Sequence, residues 1–221
     1  MTGSPLRPSG PPLALVGNPA NRRVTLFQAA LRAAGEPAAR VVPWLDVLRG
    51  RAEFRPGELV RIDSPGEDRE VERALRGVAD PTRVEGSALW YERFTAAVRD
   101  IAVRAEAGGA RLLDDPAELA VLFDKRLCHA ALLAADVAVP RSPTSGAAAP
   151  PVRGWDDVRS LLAAPGLRRV FVKPAHGDVR VGGDGPGDGG RRAGAGHHIG
   201  RAGRGGAAVQ LPAGAALRLR A

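Results

Sequence analysis

The sequence predicts an α/β fold whose N-terminal part is a small, parallel, doubly wound domain. Three observations carry that expectation: short apolar runs that read as buried strands, helix-spaced apolar residues between them, and turns marked by Gly or Pro at each change of period.

Residues 1–11 are mostly Pro, Gly and Ser with one Arg, and are expected to form a disordered leader. Leu13-Ala14-Leu15-Val16 is a buried strand, closed by the turn residues Gly17-Asn18-Pro19. Val24, Phe27, Ala30, Leu31 and Ala34 follow at helical spacing, with Gly35 as the stop. Residues 40–43 form a second strand, residues 44–48 a short helix, and residues 58–63 a third strand ended by Ser64-Pro65-Gly66. A charged amphipathic helix over 67–78 comes next. Strands alternating with helices in this way imply a parallel sheet with helices on its faces. Residues 87–107 are a long helix. Asp115, Pro116 and Glu118 have the chemistry of an N-cap, a first helical residue and a reciprocal cap. A break at Asp124 precedes a helix over 125–135, and residues 137–140 lead into the start of a strand. Residues 142–150 are a polar, Pro-rich connection, residues 156–163 a helix, and residues 169–174 an apolar strand ending in Lys173-Pro174.

A formal charge of +8 ordinarily points to nucleic acid or a membrane surface. Here the 32 basic residues comprise 30 Arg and 2 Lys, with no aromatic residue interleaved in an Arg cluster to stack on bases. Arg, Ala, Gly and Pro in excess are what GC-rich codons give, so the charge reads as codon bias. Under such bias a surviving Lys marks a place where a compact ammonium serves and a planar guanidinium does not. Those places are Lys125 and Lys173. One cysteine, Cys128, rules out an internal disulfide; its helical, apolar setting reads as an inert core thiol in a reducing compartment. The start lacks a signal-peptide pattern and no apolar run approaches a membrane span, so a cytoplasmic location is expected.

Phe123-Asp124-Lys125, a helix, the strand start Ala135-Asp136-Val137-Ala138-Val139-Pro140, and then Val170-Phe171-Val172-Lys173-Pro174-Ala175-His176-Gly177 resemble the first part of an ATP-grasp domain. That family shows an Asp-Lys pair, a helix, a Gly-Val-Pro-Val-Pro strand start, and an apolar strand ending in Lys-Pro before a glycine-rich loop. Asp136 stands here in place of the usual Gly, and Ala138 in place of the first Pro. The detailed match covers about 55 residues, and a small parallel α/β domain precedes it, as in the family. The resemblance implies ATP and magnesium as cofactors. Lys125 and Lys173 would neutralise the triphosphate from two sides. Gly177 would open the phosphate loop, His176 would line it, and backbone N–H groups of that loop would close over the phosphates. In the family, a substrate carboxylate attacks the γ-phosphate and the resulting acyl phosphate is captured by an amine or a similar nucleophile. His129 reads as a helix-surface residue. The turn Gly17-Asn18-Pro19-Ala20-Asn21 lacks the dinucleotide-binding glycine pattern.

The composition changes abruptly after Gly177. Residues 178–221 contain 13 Gly, 9 Ala and 7 Arg, with no aromatic residue and no Glu. Carboxylate-bearing strands for magnesium are expected in an ATP-grasp domain at this point and are missing, so no metal ligand is assigned. A shift of reading frame near codon 177 accounts for the change. Read one base later, DNA for the residues from Gly177 can also encode Ala-Thr-Ser-Ala-Ser, a loop of the kind the family has after Lys-Pro. The domain organisation read from the sequence is therefore a leader (1–11), an N-terminal α/β domain (12–107), the first part of an ATP-grasp domain (108–177), and a disordered, frameshifted tail (178–221). The function expected is that of an ATP-dependent carboxylate–amine ligase, inactive as this incomplete chain, with no catalytic residue identifiable in it. The alternative is a non-catalytic α/β binding or scaffold protein whose Arg/Gly-rich tail binds nucleic acid. Against that alternative, the tail lacks a repeated Arg-Gly-Gly spacing and aromatic residues. His197 and His198 have no Cys or carboxylate at ligand spacing beside them.

Overall fold

The computed structural model describes residues 10–78, 85–163, 170–176 and 207–211. The chain falls into two compact units. One comprises Met1–Arg83 with Glu92–Ala120, the other Val84–Tyr91 with Val121–Ala221. No helix among the described residues is long and apolar enough to cross a membrane.

The first unit is built on a four-stranded parallel sheet: β1 (Leu13–Gly17), β2 (Arg40–Pro43), β3 (Leu59–Ile62) and β4 (Arg111–Leu112), in the order β2-β1-β3-β4. The expected α/β class holds. The apolar run of β1 takes a central place because a strand flanked on both sides needs no polar face. Its residues Ala14, Leu15 and Val16 are fully buried. Successive side chains of a strand point to opposite faces. Leu13, Leu15 and Val41 pack with Val24, Phe27 and Leu31 of helix α1 (Arg22–Ala33), which leaves Ala14 and Val16 to line the other face. Asn21 caps α1 by accepting the Arg23 N–H at 2.8 Å, and Gly35, at φ +73°, ends it in the left-handed region.

Helix α2 (Trp44–Leu48) follows β2 directly, and Trp44 donates its indole N–H to the Asp63 carbonyl at 2.9 Å. Its ring lies 5.8 Å from that of Phe94, on the long helix α4 (Ser87–Ala107). Helix α3 (Arg69–Arg76) is capped by Asp68 and stopped by Gly77 in the left-handed region. At the other end of the sheet, Arg40 reaches across β1 to Glu58. Arg40 Nε and Nη2 donate to the two carboxylate oxygens at 2.7 and 2.6 Å, and the Arg55 N–H adds a third bond at 2.8 Å. The Arg40 guanidinium outweighs the burial of Glu58 and holds its carboxyl below the usual range.

β4 extends this unit past the expected boundary at residue 107. The Arg111 N–H donates to the Glu58 carbonyl and the Leu113 N–H to the Val60 carbonyl, so a two-residue strand completes the edge of β3.

Helix α5 (Pro116–Phe123) begins in the first unit and ends in the second, where α6 (Lys125–Ala134) and α7 (Trp155–Leu162) precede β5 (Val170–Pro174). No strand forms over residues 137–140, contrary to expectation. The N–H groups of Asp136 and Val137 turn back to the Leu133 and Leu132 carbonyls, so they close helix α6 instead of entering a ladder. The tail also departs from its expected disorder over one stretch. Ala207–Leu211 forms β6, parallel to β5 with Val170 opposite Ala207. These five residues carry no Gly and no charge, unlike the residues around them, and they supply partners for the backbone groups along β5.

Candidate functional site

The Asp-Lys pair and the Lys-Pro segment are far apart in sequence and joined in the structure. The Lys125 N–H donates to the Ala175 carbonyl at 2.9 Å, and Asp124 and His176 form an antiparallel bridge. Two residues on from Lys173, the strand segment is thus stitched to the first residue of α6.

Side chains reinforce this stitch. Asp124 is the N-cap of α6, 2% exposed, and both of its oxygens are occupied. Oδ1 accepts from the Arg126 N–H at 2.9 Å and from Arg126 Nε at 3.1 Å. Oδ2 accepts from Arg126 Nη2 at 2.6 Å and from His176 Nε2 at 3.0 Å. Burial alone raises the Asp124 pKa. The bonds from His176 and Arg126 overcome that penalty and hold the carboxyl well below the ordinary carboxylate range. Arg126 responds in kind, its pKa raised chiefly by the bond to Asp124.

An ionised carboxylate only accepts, so Nε2 of His176 carries the proton. Its other nitrogen, Nδ1, is buried with no hydrogen-bond partner among the described residues. The Tyr91 ring stacks on the imidazole at 4.1 Å, with 12° between planes, and beside it Trp90 stacks on Phe123 at 5.8 Å. The imidazole is therefore fixed on one edge by Asp124 and on one face by Tyr91.

Of the four residues expected to bind the cofactor, Lys125 is half-buried at the start of α6, Lys173 is exposed on β5, and His176 is buried against Asp124. Gly177 lies outside the described residues. Sequence reasoning did not find Tyr91, or the part played by Asp124 and Arg126. The available signal was local: an Asp immediately before a helix with a cation two residues on.

His129 is not on the helix surface. It is 8% exposed, because the segment over residues 140–146 folds back onto α6 and takes up both ring nitrogens. Cys128 is half-buried with a free thiol.

The C-terminal edge of the sheet, where β1 and β3 run side by side, is where open α/β sheets bind ligands. Here the two loops at that edge are tied to each other. Asn18 Nδ2 donates to the Pro65 carbonyl at 2.7 Å and Asn21 Nδ2 to the Gly66 carbonyl at 3.2 Å. The turn that lacks the glycine pattern spends its Asn side chains on this staple. Among the described residues, no group of three or more His, Cys, Asp or Glu side chains could hold a metal ion.

No protein-family model, curated protein or solved structure matches the chain.

Proposed function

We infer that this chain carries the nucleotide-gripping first part of an ATP-grasp ligase, ancestrally an ATP-dependent carboxylate–amine ligase of the cytoplasm. The observation that supports this reading best is the clasp between Asp124 and His176. It brings together the two segments that bear the only lysines of the sequence, in the order the resemblance requires. ATP would supply a phosphoryl group to a carboxylate substrate. The chain's own part is to grip the phosphates with the ammonium groups of Lys125 and Lys173. The clasp sets the backbone from which those side chains reach, and ordering by a strand and a helix start lowers the entropy lost on binding. His176 would stand beside the phosphates, with Gly177 opening the loop over them.

The carboxylate-bearing strands that would hold magnesium in that family are not recognised in the sequence after Gly177. As written, the chain binds ATP weakly and does not complete ligation.

Equilibrium titration with ATP, run beside an assay for ADP release, tests the reading. Weak binding that disappears in Lys173→Ala, with no ADP formed, is the expected result. Binding that ignores Lys173→Ala would favour a non-catalytic scaffold, and robust ATP-dependent ADP release would sink the claim of inactivity.

A further inference from the structure

His129 and Ser145 form a second arrangement that the nucleotide reading does not use. His129 Nε2 lies 2.7 Å from the Pro140 carbonyl, which can only accept, so Nε2 carries a proton. The neutral ring then offers Nδ1 as a bare lone pair, and Ser145 Oγ lies 2.8 Å from it. Only one assignment of protons satisfies both contacts of the neutral imidazole: Ser145 donates its hydroxyl proton to His129. The carbonyl fixes the ring, the ring holds the hydroxyl proton, and the oxygen keeps its lone pairs. This is the connectivity of a hydroxyl nucleophile, its base, and the group that orients the base.

The local fold builds this arrangement rather than merely permitting it. His129 sits one turn into α6 and is buried, while Ser145 is half-buried on the returning segment. Gly146, at φ +80°, takes a conformation costly for other residues, and its N–H donates to the Arg126 carbonyl at 3.0 Å. That bond pins the segment to the same helix that carries His129. Ser142, three residues earlier on the segment, is also half-buried, but its hydroxyl lies 3.3 Å from Thr144 Oγ1 instead of a base. The protein thus holds its own control.

We propose that Ser145 is a His129-activated hydroxyl that accepts acyl groups from small activated esters. In the step, Ser145 Oγ bonds to the electrophilic centre, the leaving group departs with its electron pair, and His129 Nδ1 takes the hydroxyl proton. With a fluorophosphonate as the probe, the O–P bond forms, the P–F bond breaks and fluoride leaves.

The test is exposure of the whole chain to a fluorophosphonate, with intact-mass analysis over time and peptide mapping of the adduct. General-base assistance is worth on the order of 10²–10⁴-fold, so Ser145 is expected to be labelled on the order of 10²-fold faster than Ser142. Ser145→Ala should remove the adduct, and His129→Gln should slow it to the rate of Ser142. Absence of an adduct, equal labelling of the two serines, or labelling unchanged in a folded His129→Gln protein overturns the proposal and leaves the contact as a loop staple. Should His129→Gln fail to fold, the ratio of the two serines in the unaltered protein decides the matter.

Discussion

Asp124 and His176, 52 residues apart in sequence, are joined twice: by an antiparallel backbone bridge and by a 3.0 Å bond from the imidazole N–H to the carboxylate. Asp124 also caps α6 and pairs with Arg126, so three separate structural tasks converge on one buried side chain. Such convergence makes the residue hard to replace. Removing it leaves an imidazole N–H and a guanidinium without their acceptor, and a helix start without its cap.

Asp124→Ala is therefore expected to lower stability by about 3 kcal/mol, most of it from the orphaned donors and about 1 kcal/mol from the lost cap. Asp124→Asn keeps an oxygen for the cap and should cost about half as much. Urea denaturation of the three proteins checks this. A loss below about 0.5 kcal/mol for the Ala variant would mean that the clasp does not hold the second unit together.

Acid should act on the protein through Asp124 and Glu58, the two depressed carboxyls among the described residues. A carboxyl whose folded pKa lies below its unfolded value stabilises the fold fully above the unfolded value, about 4. That contribution is lost as pH falls from there through the folded value. Stability should therefore decline as pH drops from about 5 to about 3, and Glu58→Gln should flatten part of the decline. Denaturation midpoints measured across that range test the sign. An equally steep decline in Glu58→Gln would remove the Arg40–Glu58 pair as a cause.

What the sequence made legible was local. The β1 run, the Asp115 cap and the Gly35 stop each reveal themselves within a few residues, and each is found where expected. β4 was missed because two residues have no period; only the open edge of β3 makes Arg111-Leu112 a strand. The same holds for β6, whose partner β5 lies across a long stretch of chain. In the candidate site, Lys125, Lys173 and His176 were singled out by unusual composition and resemblance. Tyr91 was not, because ring stacking between separated segments leaves no mark on spacing. His129 was misplaced for a similar reason: helical periodicity reports the face turned to a core, and here a returning loop does the covering.

Gly108 is held to glycine by close approach. A Cβ there would stand 2.4 Å from the Phe54 carbonyl oxygen and 3.2 Å from that of Arg104. Both obstacles are backbone, and the next residue accepts the Gly57 N–H at 2.8 Å, so the chain has little room to shift. Gly108→Ala should destabilise the first unit by about 1–3 kcal/mol. Thermal denaturation reads the effect, and a neutral result would show that residues 54 and 108 can move apart at little cost.

Asp136 makes the opposite prediction. Helix α6 ends in a Schellman arrangement: the Val137 N–H bonds to the Leu132 carbonyl at 3.0 Å and the Asp136 N–H to the Leu133 carbonyl at 3.1 Å. That geometry puts Asp136 at φ +56°, in the left-handed region, where a side chain crowds its own backbone. Glycine takes this region without that crowding. Asp136→Gly relieves the crowding and loses part of the gain to the greater freedom of an unfolded glycine. Asp is among the residues that tolerate this region best, so the net gain should be modest, about 0.5–1 kcal/mol. A rise in the urea midpoint with an unchanged slope is the expected signature. A fall would mean that the Asp136 side chain contributes a stabilising interaction larger than the strain it carries.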